Sequence, residues 1–230
     1  MTVHSTPHAQ IRSFFLEGAA GRLEALLNAG TADARYAAVV CHPHPLFGGT
    51  MHNKVVYNTM KALNGFGFPV LRFNFRGTEL SEGEHDYGKG ERDDVLTALN
   101  WLKQEFSLPI LFAGFSFGAA IGLRAACPDP DVKALLSLGT PVAAEGRSYT
   151  YEFLHDCAKP KLFLSGDRDP YGPAERLYEV TAAAADPKRF VLIHGADHFF
   201  AGQLSAMRSA IEFWVRDTLL QAAAQGQIPL

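Results

Sequence analysis

Gly114-Phe115-Ser116-Phe117-Gly118 lies between an apolar run, Ile110–Phe115, and a helix-like stretch, Ala119–Ala126. A strand that turns sharply into a helix around G-x-S-x-G is a narrow structural instruction. The glycines on either side of the serine let the strand and helix backbones approach closely, while the serine takes the strained position of the turn. The turn lifts the serine hydroxyl off the edge of the sheet. The helix N-terminus beside it turns free N–H groups toward any negative charge that develops there.

The remaining chain carries a matching pattern. Ile11–Glu17 and Arg22–Asn28 read as two short strands, separated by the small residues Gly18 to Gly21, as in an antiparallel hairpin. Tyr36–Cys41 is a continuous apolar run, and Pro69–Phe75, Ile110–Phe115, Val132–Leu138, Lys161–Ser165 and Phe190–His194, all mostly apolar, read the same way. Continuous apolarity marks strands buried on both faces, as in parallel sheets. Between them, Val95, Leu99, Leu102 and Phe106 recur at helical spacing, as do Phe200, Leu204, Met207, Ile211 and Trp214. These stripes read as core-facing, and Ala182 to Ala185 also suits a helix. The alternation predicts an α/β fold: a mostly parallel central sheet of about eight strands with helices on both faces. In such folds the ligand sits beyond the carboxyl ends of the strands. Gln221 to Leu230, polar and unpatterned, is expected to fray.

The 230 residues fit one domain spanning 1–230 and are enough for a substantial core. Net charge is −3, from 21 basic and 24 acidic residues with no like-charge block, which predicts no nucleic-acid partner and no membrane partner. Three cysteines, Cys41, Cys127 and Cys157, do not make a disulfide framework and read as free thiols of a reducing compartment. The N-terminal residues lack a signal-peptide pattern, and no apolar run reaches the roughly 20 residues of a membrane span. A cytoplasmic protein is expected.

A serine hydroxyl needs a base within hydrogen-bond reach. Where a nucleophile elbow sits on such a sheet, the acid and then the histidine follow it along the chain. His198, in Gly195-Ala196-Asp197-His198, comes just after the last strand and is the expected base. His194 lies within the apparent strand, and His155 is out of order. Two carboxylates compete for the acid in Gly166-Asp167-Arg168-Asp169-Pro170: Asp167 is closer to the strand, and Asp169 lies further into the loop. The losing aspartate is expected to be a turn residue paired with Arg168. For the oxyanion, one donor is the N–H of Phe117, the residue after the nucleophile. The other comes from the loop Cys41-His42-Pro43-His44-Pro45-Leu46-Phe47-Gly48-Gly49. Pro43 and Pro45 have no N–H. His44, Leu46 and Phe47 remain, and Leu46, which opens the flexible half, is the expected donor. The pair His42 and His44 admits a second reading as metal ligands of a metal-dependent hydrolase. The plainer reading is that both brace the loop.

Taken together, HPHPLFGGTMHNKVV, LRFNFRGTELSEGE, AGFSFGAA, SGDRDP and GADHFF closely resemble a family of small lidless bacterial α/β-hydrolases, related in fold to dienelactone hydrolases. The resemblance covers most of residues 36–215. It implies an α/β-hydrolase fold without a lid domain, Ser116 as nucleophile, His198 as base and Asp169 as acid. It also supports Leu46 as an oxyanion donor. One departure is Glu79 in Arg76-Gly77-Thr78-Glu79-Leu80-Ser81, where a glycine is usual.

The resulting expectation is a serine hydrolase, carboxylesterase-like, that forms an acyl-enzyme with a small acyl ester and needs no cofactor. About twenty residues separate Leu138 from Lys161, too few for a lid subdomain. That predicts an open site for short acyl groups. The alternatives are the metal-dependent hydrolase and a non-catalytic binding protein of the same fold. Oligomeric state leaves no mark in the sequence.

Overall fold

The computed structural model describes residues 10–143, 147 and 149–221. The fraying expected for the last residues lies almost wholly outside them. Eight strands form one sheet: β1 (Ile11–Gly18), β2 (Gly21–Asn28), β3 (Ala37–Cys41), β4 (Val70–Phe73), β5 (Ile110–Phe115), β6 (Val132–Leu138), β7 (Lys161–Gly166) and β8 (Lys188–Ile193). Their spatial order is β1-β2-β4-β3-β5-β6-β7-β8. β1 pairs with β2 and β2 with β4 antiparallel; every other pairing is parallel.

Alternation along the central strands builds two cores at once, because successive side chains point to opposite faces. In β5, Ile110 and Phe112 enter one core while Leu111, Ala113 and Phe115 enter the other. The first core is closed by α2 (Lys89–Phe106) and α3 (Phe117–Ala126), through Val95, Leu99, Leu102 and Leu123. The second is closed by α1 (Lys54–Asn64) and α5 (Leu204–Trp214), through Val55, Met60, Met207, Ile211 and Trp214. A further helix, α4 (Ala174–Ala183), lies between β7 and β8.

Four expectations need correction. The run Phe190–His194 is not buried on both faces. All but His194 belong to β8, the edge strand of the sheet, whose residues are mostly of intermediate exposure. Phe200 is not on the last helix; it sits in a turn with φ 53°, although its ring is buried in the second core. Ala182 to Ala185 straddles the end of α4, which stops at Ala183. Cys127 and Cys157 are joined as a disulfide, leaving Cys41 as a buried free thiol. The two cysteines are 30 residues apart in sequence, and the fold brings the end of α3 beside the segment before β7.

The loop after β4 keeps its turn despite the missing glycine. Glu79 takes φ 49°, a left-handed value that glycine would adopt freely. Bonds from Ser81 N–H to Thr78 O and from Gly77 N–H to Glu82 O close the turn around it. Arg76 anchors its start to α2 through a buried, multiply bonded pair with Asp94 at 2.7 Å. Among the described residues, no helix is long and apolar enough to cross a membrane. The described part of the β6–β7 connection contains one short 3-10 turn, Glu152–Asp156, and no lid domain.

Candidate active site

The carboxyl ends of β3, β5, β7 and β8 converge on Ser116. The residue takes φ 54° and ψ −120°, a strained conformation for a side chain with a Cβ. Its N–H donates to Leu138 O at the end of β6, while its carbonyl accepts from Ala119 and Ala120 in α3. The two flanking glycines are required by contact. A Cβ on Gly114 would stand 2.6 Å from Gly118 O, and one on Gly118 would stand 2.7 Å from the Cys41 carbonyl carbon.

Ser116 Oγ lies 3.0 Å from His198 Nε2, and His198 Nδ1 lies 2.7 Å from Asp169 Oδ2. Asp169 is held in turn. Its Oδ1 accepts from the N–H groups of Tyr171 and Gly172, and its Oδ2 from the Ser165 hydroxyl. An ionised carboxylate only accepts, so it places the imidazole proton on Nδ1. The Nε2 lone pair is then left facing the serine hydroxyl. His198 is 5% exposed and Asp169 3%, so solvent competes little for these bonds. The imidazole packs among Phe115, Tyr171 and Phe199, the last two in edge-to-face contact, and Gly139 leaves room for it: a Cβ there would stand 3.2 Å from His198 Cε1.

The competing carboxylate has another partner. Asp167 accepts from Gly195 N–H and lies 2.6 Å from His194 Nδ1. The expected pairing with Arg168 is replaced by this tie between the β7 and β8 loops. His194 itself lies just past β8 with its side chain 95% exposed. His155 is on the short turn before β7, exposed and apart from Ser116 in the chain's path.

The loop after β3 departs from expectation at Leu46. Its N–H donates to His44 Nδ1 at 3.2 Å, so it is already engaged. The N–H groups of Phe47, Gly48 and Gly49 turn back onto His44 O and Pro45 O in the same tight turn. The proline at position 45 starts a 3-10 turn capped by the His44 side chain, which consumes the donors that follow it. Among the described residues, the N–H groups of His44 and Phe117 form no hydrogen bond.

The two histidines of this loop are braces. His42 is completely buried; its Nδ1 donates to Pro43 O at 2.6 Å, and its Nε2 accepts from Phe75 N–H at 3.0 Å. Both ring nitrogens are therefore occupied, which removes His42 from the metal-ligand reading. Burial pushes its pKa down to about 3 against the contribution of the Pro43 contact. His44 is pushed down to about 4, first by burial and then by the charges of Arg147 and His85.

Residues 37–222 match the family described as the alpha/beta hydrolase domain. The chain belongs to that family. This hydrolase is 36% identical over 204 residues to an uncharacterized protein of Rickettsia prowazekii, covering 86% of this chain and 85% of the relative. It superposes on an alpha-beta serine hydrolase homologue from Coxiella burnetii with a TM-score of 0.81 and 37% identity, over 88% of this chain and 96% of that one. A Xanthomonas campestris protein, described as an a/b serine hydrolase without lid, gives a TM-score of 0.80 at 31% identity, over 91% and 95% of the two chains.

Sequence reasoning missed three contributors around the hydrolase's serine. The Ser165 hydroxyl reaches Asp169, and Gly139 makes room for the imidazole; neither has a local signal. The third is the pair of His85, in the loop before α2, and Glu91, in the first turn of α2, whose side chains are 7% and 0% exposed. Gly88 followed three residues later by Glu91 is a capping pattern, so only the glutamate was discoverable.

Proposed function

We propose that this protein is a serine ester hydrolase acting on small acyl esters through Ser116, His198 and Asp169. The observation that carries the reading is the continuous chain of contacts, 2.7 Å and 3.0 Å, from Asp169 through His198 to Ser116. His198 Nε2 takes the hydroxyl proton as Ser116 Oγ attacks the ester carbonyl. Asp169 holds the imidazole tautomer and stabilises the cation that forms. His198 then returns the proton to the leaving alcohol, leaving an acyl-serine. A water activated by the same histidine releases the acid and restores the hydroxyl.

The oxyanion falls to Phe117 N–H and His44 N–H. Leu46 N–H is set aside because it is bonded within the loop. Stabilisation of this kind usually needs two aimed donors, each worth roughly 10²–10³ in kcat.

Exposed apolar side chains from three loops surround the site: Leu46 and Phe47 after β3, Tyr171 after β7 and Phe199 after β8. An open apolar rim, with no covering domain among the described residues, suits a small, poorly polar acyl or alcohol group. The test is labelling with a fluorophosphonate together with hydrolysis of p-nitrophenyl acetate. Ser116→Ala should lose both. Retained labelling would remove Ser116 from the mechanism, and no hydrolysis by the intact protein would favour a non-catalytic binding role.

A further inference from the structure

One buried imidazole with unmet hydrogen-bonding needs lies against both residues assigned to the oxyanion hole. The His85 side chain is 7% exposed. Its Nδ1 is 2.7 Å from Glu91 Oε1, yet the carboxylate lies off the line of a good hydrogen bond, and neither ring nitrogen is hydrogen-bonded. A buried polar group left in this state costs about 1–3 kcal/mol. Its own bonding therefore does not account for its position.

Its surroundings do. Glu91 is fully buried at the start of α2 and is fixed by two donors, Asp86 N–H to Oε1 at 2.8 Å and Gly88 N–H to Oε2 at 2.7 Å. The imidazole lies beside this rigid carboxylate without a hydrogen bond to it. Its ring packs against His44, with centroids 4.9 Å apart, and against Phe117, 5.7 Å apart. The rings of His44 and Phe117 also meet, at 4.7 Å. The backbone of this segment is pressed onto α3, since a Cβ on Gly88 would stand 2.6 Å from Ile121 Cδ1 and 3.9 Å from the Phe117 ring.

His44 and Phe117 belong to separate elements, the loop after β3 and the first turn of α3. The width of an oxyanion hole between them is the separation of those elements, and both side chains close on the same third ring. We propose that His85, through its ring packing, is a positioning residue that sets the spacing of the His44 and Phe117 N–H groups. The proposal rests on the Ser116 reading above. It assigns His85 no proton transfer and no contact with the reacting atoms.

A misplaced donor weakens transition-state binding more than substrate binding, so the loss should fall on kcat. The test compares wild type with His85→Ala, His85→Leu and His85→Phe, each assayed well below its melting temperature. It measures kcat and KM on p-nitrophenyl acetate and the rate of Ser116 labelling by a fluorophosphonate. Ala and Leu should lower kcat and the labelling rate by about 10–100-fold, with KM within about twofold, as expected for displacement of about 1 Å or less. Phe keeps ring-on-ring packing and should recover to within about threefold of wild type. Where Ala does not fold, Leu carries the same comparison. Unchanged kcat in Ala and Leu, a rise in KM alone, or a Phe variant no better than Leu would each overturn the proposal. Failure of the underlying reading is seen separately, as Ser116→Ala that retains labelling, and would overturn the proposal with it.

Discussion

Replacing His42 with glutamine should change how the fold responds to acid. His42 is fully buried, with Nδ1 donating to Pro43 O and Nε2 accepting from Phe75 N–H, an arrangement that only the neutral ring can make. Its pKa falls from 6.5 to about 3 in the native protein, chiefly through burial. As pH drops, the unfolded chain therefore binds this proton before the native one does. The stability contributed by neutral His42 is complete above pH 6.5 and is lost progressively as pH falls toward the native value. Between about pH 8 and about pH 5 the loss is about 2 kcal/mol, and it depends little on the native value, because the native ring stays neutral throughout that window. Urea unfolding of wild type and His42→Gln at both pH values isolates the residue. Other titrating groups are shared and cancel, and the glutamine carbonyl can still accept from Phe75 N–H. The variant should be less stable at the higher pH and should lose about 2 kcal/mol less than wild type on acidification. A difference below about 0.5 kcal/mol would mean that native His42 takes up the proton without penalty. The buried-brace account of the loop would then fail.

Asp169→Asn should lower kcat by about 10⁴-fold, because an amide no longer enforces the imidazole tautomer. Asp167→Asn, which disturbs only the exposed tie to His194, should cost less than about tenfold by the same comparison, and the reverse ranking would hand the acid's role to Asp167. Gly118→Ala should drive a Cβ into the backbone of the loop after β3, where Cys41 and His42 pass. A cost of about 3 kcal/mol would lower Tm by about 6–12 °C, and an unchanged Tm in a thermal melt would refute the close approach. With no lid among the described residues, hydrolysis of a long-chain ester should rise smoothly through its critical micelle concentration. A sharp jump there would refute the open site.

The sequence by itself determined the sheet and the elbow. Mostly apolar runs such as Ile110–Phe115 and Val132–Leu138 have one stable arrangement, between two helical layers, because a strand apolar on both sides must be covered on both. The glycines around Ser116 were legible for a similar reason: the backbone contact they permit is local. His198 followed from its place after the last strand. Tertiary structure decided what depends on the path of a loop. Asp167 and Asp169 lie two residues apart in the same turn, and only the wrapping of Tyr171 and Gly172 N–H groups around Asp169 aims it at His198. The 3-10 turn begun by Pro45 engages Leu46 N–H with the His44 side chain, which the order of residues in the loop does not announce. The disulfide and the packing of His85 against His44 and Phe117 join elements distant in sequence, and no short-range pattern announces them. Short-range sterics and burial are written into neighbouring residues. The direction of a side chain at a loop is set by contacts that exist only once the chain has closed on itself.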